Sequence, residues 1–196
     1  MPACLFDTAL GRCGIAWSAA GLRAVQLPSA DDAATLARLA LAARLCPPGA
    51  LTDAIDPIDP IDAAGAPAGV AAAIEAIVGL LRGEPRDLRE IVLDTVDTAA
   101  FALRVYGAAR EIAPGATLGY GELACRIGEP GAARAVGRAL GANPWVIVVP
   151  CHRVLAAGER PGGFSAPGGV ATKRRLLEIE SACRPPLMPG QSARLF

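Results

Sequence analysis

The chain of 196 residues has a single histidine, His152, a single lysine, Lys173, and no Cys-x-x-Cys pair. One imidazole and irregularly spaced cysteines leave a structural zinc site without a ligand set; Cys4 with Cys13 is the only fragment of one, and it lacks partners. No metal is therefore expected. No apolar run reaches the roughly 18 residues that a membrane-spanning helix requires, so no membrane association is expected. The opening Met-Pro-Ala-Cys-Leu-Phe-Asp lacks a basic segment followed by an apolar one. Without an export signal, the six cysteines (Cys4, Cys13, Cys46, Cys125, Cys151, Cys183) are expected to be free thiols in a cytoplasmic protein.

What is present describes a globular chain. Hydrophobic residues make up 53% and charged residues 19%, which excludes a disordered polyelectrolyte. The length suits one large or two small domains. Net charge is zero but unevenly placed. Residues 1–92 carry seven arginines against eleven acids, a net −4, and residues 93–196 carry twelve basic groups against eight acids, a net +4. A polyanionic partner would therefore meet the second half. The eighteen arginines beside one lysine point to genome composition more than to function.

Short apolar runs at 3–8, 14–17 and 22–27, separated by turn residues, predict a meander of three antiparallel strands. Ser29-Ala30-Asp31-Asp32 predicts a helix start, with the helix running to about Leu45. The proline-dense stretch 47–68 predicts a surface loop. A helix is expected over 70–82, stopped by Gly83, and a returning strand over 88–93. From Thr98 the pattern turns helical. Helices are expected from Thr98 to near Pro114, over 120–127 and over 132–140, the last two joined by Gly128-Glu129-Pro130-Gly131, a helix-turn-helix signature. Residues 146–149 are expected to run as a buried extended piece, and a last helix to span 170–182. The expected fold class is α/β. An N-terminal α/β domain over 1–92, with a short antiparallel sheet, precedes a mostly helical C-terminal domain over 93–196 carrying a winged helix-turn-helix-like motif.

The lone histidine lies in Pro150-Cys151-His152-Arg153-Val154. The thiolate is the nucleophilic form of cysteine, and a neighbouring base or cation raises its population. The plain alternative is a small buried Cys151 beside a satisfied core histidine. Similar alternatives attend the residues around them. Tyr120 opens a helix, Arg134 suits a solvated helix face, Asn143-Pro144 suits a turn, Ser165 a loop, and Glu180 a pairing with Lys173 or Arg184.

Taken in order, Tyr120, Ala133-Arg134-Ala135-Val136-Gly137, Asn143-Pro144, Pro150-Cys151-His152-Arg153-Val154, Gly163-Phe164-Ser165, Lys173 and Leu176-Leu177-x-x-Glu180 resemble the O6-alkylguanine-DNA alkyltransferases (methylated-DNA–protein-cysteine methyltransferases). The resemblance covers about residues 98–181 and is looser over 1–97. It implies irreversible, single-turnover transfer of an alkyl group from O6-alkylguanine in double-stranded DNA to Cys151, by a monomer without a cofactor. His152 would act as base on Cys151, oriented by Glu180, with Glu178 as a nearby alternative. Asn143 would hold the local turn, and Tyr120 would face the purine. Arg134 would occupy the space left by a flipped base, and the small Ala132, Ala133 and Gly137 would let that helix approach a groove. Ser165, Phe164, Arg153 and Val154 would complete the substrate and DNA contacts. Phe164 stands where many relatives have tyrosine, and the loop 162–169 is about two residues longer than in some of them. The rival readings are a lesion-binding protein that does not repair, which Cys151 argues against, and a cysteine hydrolase, which lacks an evident oxyanion site.

Overall fold

A computed structural model describes residues 1–44, 59–60 and 63–183. Most of the proline-dense stretch 47–68, together with Cys46 and Arg184, lies outside the described residues. The chain opens with the expected meander: β1 (Pro2–Thr8), β2 (Gly11–Ser18) and β3 (Gly21–Gln26) pair antiparallel, and β4 (Asp59–Pro60) adds parallel to β1 in the order β3-β2-β1-β4. Proline donates no ladder hydrogen bond and is confined to an edge, which is where β4 sits.

Strand alternation gives the sheet two apolar faces. Ala3, Ala16 and Ala24 stand side by side in register and form one face. These small side chains seat α1 (Asp32–Arg44) through Leu39 and Ala43. Burying Leu39 alone is worth about 1.5–3 kcal/mol. The helix starts where Asp31 Oδ1 accepts the Ala34 amide at 2.7 Å. On the other face, Cys4, Ile15 and Val25 join the main core.

That core crosses from one half of the chain to the other. It gathers Ile77 and Leu80 of α2 (Ala68–Leu81), Val105 of α3 (Ala100–Arg110), Leu123 of α4 (Tyr120–Arg126), Val136 of α5 (Ala133–Gly141) and Leu176 of α6 (Gly169–Ser181). β5 (Leu118–Gly119) and β6 (Val154–Leu155) form a small parallel pair beside α4. Gly128 and Gly131 both have positive φ, +76° and +89°, so the turn between α4 and α5 needs residues without a Cβ penalty.

Two expectations are corrected. Residues 88–93 do not form a strand. They meet β3 at one bridge, with Leu22 N donating to Val92 O at 2.9 Å and Asp94 N to Leu22 O at 2.8 Å. The Arg110 guanidinium gathers the carbonyls of Leu88, Arg89 and Ile91 at 2.6–2.9 Å, so these acceptors serve a side chain instead of a ladder. Residues 146–149 are buried as expected but form a tight turn, with Val149 N donating to Trp145 O at 2.8 Å.

Candidate active site

The tight turn carries a residue in an unusual conformation. Ile147 has φ +78°, costly for a β-branched side chain, and such strain persists only where the surroundings over-determine it. Asn143 supplies part of that restraint. Its Nδ2 donates to Val149 O at 2.9 Å and Trp145 O at 3.4 Å, and its Oδ1 accepts Trp145 N at 2.9 Å. The first half supplies the rest. Val25 N donates to Pro144 O at 2.9 Å, Val146 N to Val25 O at 3.2 Å, and the buried Trp145 indole to Leu22 O at 2.6 Å. The N-terminal sheet thus grips both sides of the turn that leads into Pro150.

Cys151, His152 and Arg153 form a single 3₁₀ turn, and all three are buried. Cys151 Sγ lies 3.6 Å from Asn143 Nδ2. His152 Nε2 meets Glu180 Oε1 at 2.9 Å, while Nδ1 has no protein hydrogen-bond partner. Burial alone would raise the Glu180 carboxyl, but His152 and Arg153 overcome it and hold it down at about 2. An ionised carboxylate can only accept, so Nε2 carries the proton and Nδ1 keeps its lone pair. Burial lowers the His152 pKa against the opposing pull of Glu180, which keeps the imidazole neutral with a lone pair free to accept a proton. Glu178 is exposed and pairs with Arg175 at 3.4 Å, so Glu180 is the partner of His152.

Arg153, expected among the DNA contacts, points inward instead. Its Nε reaches Glu180 Oε2 and one terminal nitrogen reaches Oε1, both at 2.8 Å, while the other binds the Ile112 carbonyl. A charge buried this deeply must be paired, and Glu180 is the available anion.

Burial raises the Cys151 pKa, so the resting group is a thiol; Asn143 and then Lys173 pull against that shift. Lys173 is wholly buried, donates to Val154 O at 2.6 Å, and lies 5.8 Å above the Tyr120 ring. Desolvation lowers its pKa to about 8, with Cys151 opposing. The chain's only lysine thus lies within electrostatic reach of its nucleophile candidate. Its rarity is the signal that composition offers. Val154, expected among the substrate contacts, has its carbonyl engaged by Lys173.

Tyr120 begins α4, and burial followed by the proximity of Cys151 raises its pKa. Its ring runs between Gly137 of α5 and Gly162 of the loop 156–168, where an added Cβ would stand 3.8 and 3.5 Å from ring carbons. A cavity of about 550 Å³ opens here, walled by Tyr120, Gly137, Leu140, Phe164 and Ser165 among others. Cys151 does not line it and is 7% exposed. Arg134 is exposed near the start of α5, with the half-buried Ala132 and Ala133 beside it. Ser165 is exposed at the cavity edge, and its carbonyl accepts from Arg38 at 3.1 Å. Among the described residues, no group of three or more His, Cys, Asp or Glu is placed to hold a metal, and no helix is long and apolar enough to cross a membrane.

Residues 100–182 match the family described as 6-O-methylguanine DNA methyltransferase, DNA binding domain. The methylated-DNA–protein-cysteine methyltransferase of Mycobacterium tuberculosis is 43% identical over 115 residues, covering 59% of this chain and 67% of the relative. The chain belongs to the methylated-DNA–protein-cysteine methyltransferase family. A methyltransferase of the same name from Salmonella typhimurium is 48% identical over 93 residues, 45% of this chain and 53% of that protein. The crystal structure of Mycobacterium tuberculosis OGT in complex with DNA superposes with a TM-score of 0.69 at 30% identity, covering 95% of this chain and 96% of that one. The methyltransferase of Pyrococcus kodakaraensis superposes at 0.66 and 25% identity, covering 91% and 98%. The methyltransferase fold therefore extends across the N-terminal half, where the sequence resemblance is looser.

Proposed function

We propose that this protein repairs O6-alkylguanine in double-stranded DNA by moving the alkyl group irreversibly to Cys151 Sγ. The chain of contacts Asn143–Cys151 and His152–Glu180–Arg153, beside a cavity walled by Tyr120, carries this reading. The Cys151 proton passes to the free Nδ1 of His152. Sulfur attacks the alkyl carbon, the S–C bond forms as the C–O6 bond breaks, and the leaving guanine recovers a carbonyl at O6. The proton ends on guanine N1, so atoms and charge balance. Glu180 stabilises the transient imidazolium, as in other nucleophile–base–acid triads.

Tyr120 donates toward the purine N3 and relieves negative charge on the leaving base. Arg134, with Ala132, Ala133 and Gly137, enters a groove from a helix-turn-helix formed by α4 and α5 and holds the space of the flipped nucleotide. Phe164 and Ser165 wall the base pocket. Residues 1–92 support the chemistry of residues 93–196 by fixing the turn at Asn143. The thioether has no second nucleophile to release it, so a monomer acts once and needs no cofactor.

Intact mass after mixing with a duplex bearing one O6-methylguanine tests the proposal. One methyl in place of one hydrogen on Cys151, limited to one per protein, is the expected result. Tight binding without mass change would make the protein a lesion-recognition factor.

A further inference from the structure

We propose that Arg38 of α1 is a positioning residue for the substrate-facing loop 156–168, acting through the Ser165 carbonyl. This inference rests on the reading of the cavity beside Tyr120 as the base pocket. The contact joins residues 127 positions apart, with an Arg38 terminal nitrogen donating to Ser165 O at 3.1 Å.

The two partners differ in rigidity. Arg38 precedes Leu39, which is fully buried, and α1 is held by Leu39 and Ala43 against the row of Ala3, Ala16 and Ala24. The loop has weak internal restraint. Gly158, Gly162 and Gly168 all take positive φ, and these residues supply no side chains to pack. Its ends are tied, with Ala156 N donating to Arg160 O at 2.8 Å and Thr172 Oγ1 to Pro167 O at 2.7 Å. Among the described residues, the stretch 161–165 receives its hydrogen bond from Arg38. That stretch includes Gly162, Gly163, Phe164 and Ser165, one side of the cavity. A charge-assisted bond from a packed helix to the far end of this wall sets where Phe164 and Ser165 stand relative to Tyr120. The N-terminal half thereby shapes the pocket as well as supporting the turn at Asn143.

The test uses the full chain as wild type, Arg38→Ala and Arg38→Lys. Hydrogen exchange of the unreacted proteins over 160–168 is read alongside transfer kinetics on the O6-methylguanine duplex at several salt concentrations. In Arg38→Ala the exchange of this loop accelerates. The half-saturating duplex concentration rises about 3–10-fold while the maximal rate stays within about two-fold. The slope of affinity against salt is unchanged, and Arg38→Lys, which keeps one charged donor, restores most of both effects. Unaltered loop exchange in Arg38→Ala overturns the inference. A salt slope reduced by about one unit also overturns it, because Arg38 would then be a phosphate contact. If wild-type protein gains no mass on Cys151, the functional reading fails, and the exchange comparison still judges the link between Arg38 and the loop.

Discussion

His152 Nε2 and Glu180 Oε1 lie 2.9 Å apart with both side chains buried, and the same carboxylate is gripped by Arg153 from its other side. One anion therefore fixes the imidazole tautomer and neutralises a buried guanidinium. Glu180→Gln removes both effects. Breaking a buried pair from one side costs about 3–5 kcal/mol, and denaturant unfolding should show a loss of that size. Glu178→Gln, at an exposed position, should stay within about 0.5 kcal/mol of wild type. Equal losses in the two variants would contradict the assignment.

Cys151→Ser keeps the turn but replaces the nucleophile. The variant should gain no mass from the lesion duplex while retaining measurable affinity for it. Methylation found on Cys125 or Cys183 in this variant would show that the thiol assignment is wrong.

On the role proposed for Arg134, Arg134→Ala should slow transfer on duplex by about 10–100-fold, because flipping costs a few kcal/mol that a side chain held in the vacated space would offset. The loss should be much smaller on a single-stranded oligonucleotide, where no stack must be held open. A rate loss of equal size on both substrates would place Arg134 elsewhere in the reaction.

Acid should destabilise the protein in two windows. The folded-state pKa of His152 lies below its ordinary 6.5, so the unfolded chain binds the proton more readily and stability falls as pH drops below about 6.5. Glu180 is held at about 2 against an ordinary 4.5, so its contribution is lost as pH falls from about 4.5 toward 2. Melting temperature followed from pH 7 downward should decline across the upper window in wild type and less so in His152→Gln. A flat wild-type profile between pH 7 and 5 would remove the case for a buried neutral imidazole.

Alkylation of Cys151 adds volume at a position only 7% exposed and in contact with Asn143. Overpacking of this kind costs about 1–3 kcal/mol. Calorimetry of the reacted protein should give a lower melting temperature than the unreacted form, and larger alkyl groups should lower it further.

The sequence by itself determined most of the local elements and the candidate reacting groups. Strand alternation in β1 to β3, the cap at Asp31, the glycine turn between α4 and α5, and the single Cys-His pair are short-range patterns, written in consecutive residues. Tertiary structure decided what those patterns could not encode. Residues 88–93 have strand composition, yet Arg110 claims their carbonyls from a distant helix. Residues 146–149 are apolar enough for a buried strand, yet Asn143 and β3 bend them into a turn with Ile147 at positive φ. Glu180 over Glu178, Arg153 facing inward and Lys173 on the Val154 carbonyl all depend on which groups become buried together. A charge removed from water must find a partner wherever the fold supplies one, and periodicity along the chain carries no record of that choice.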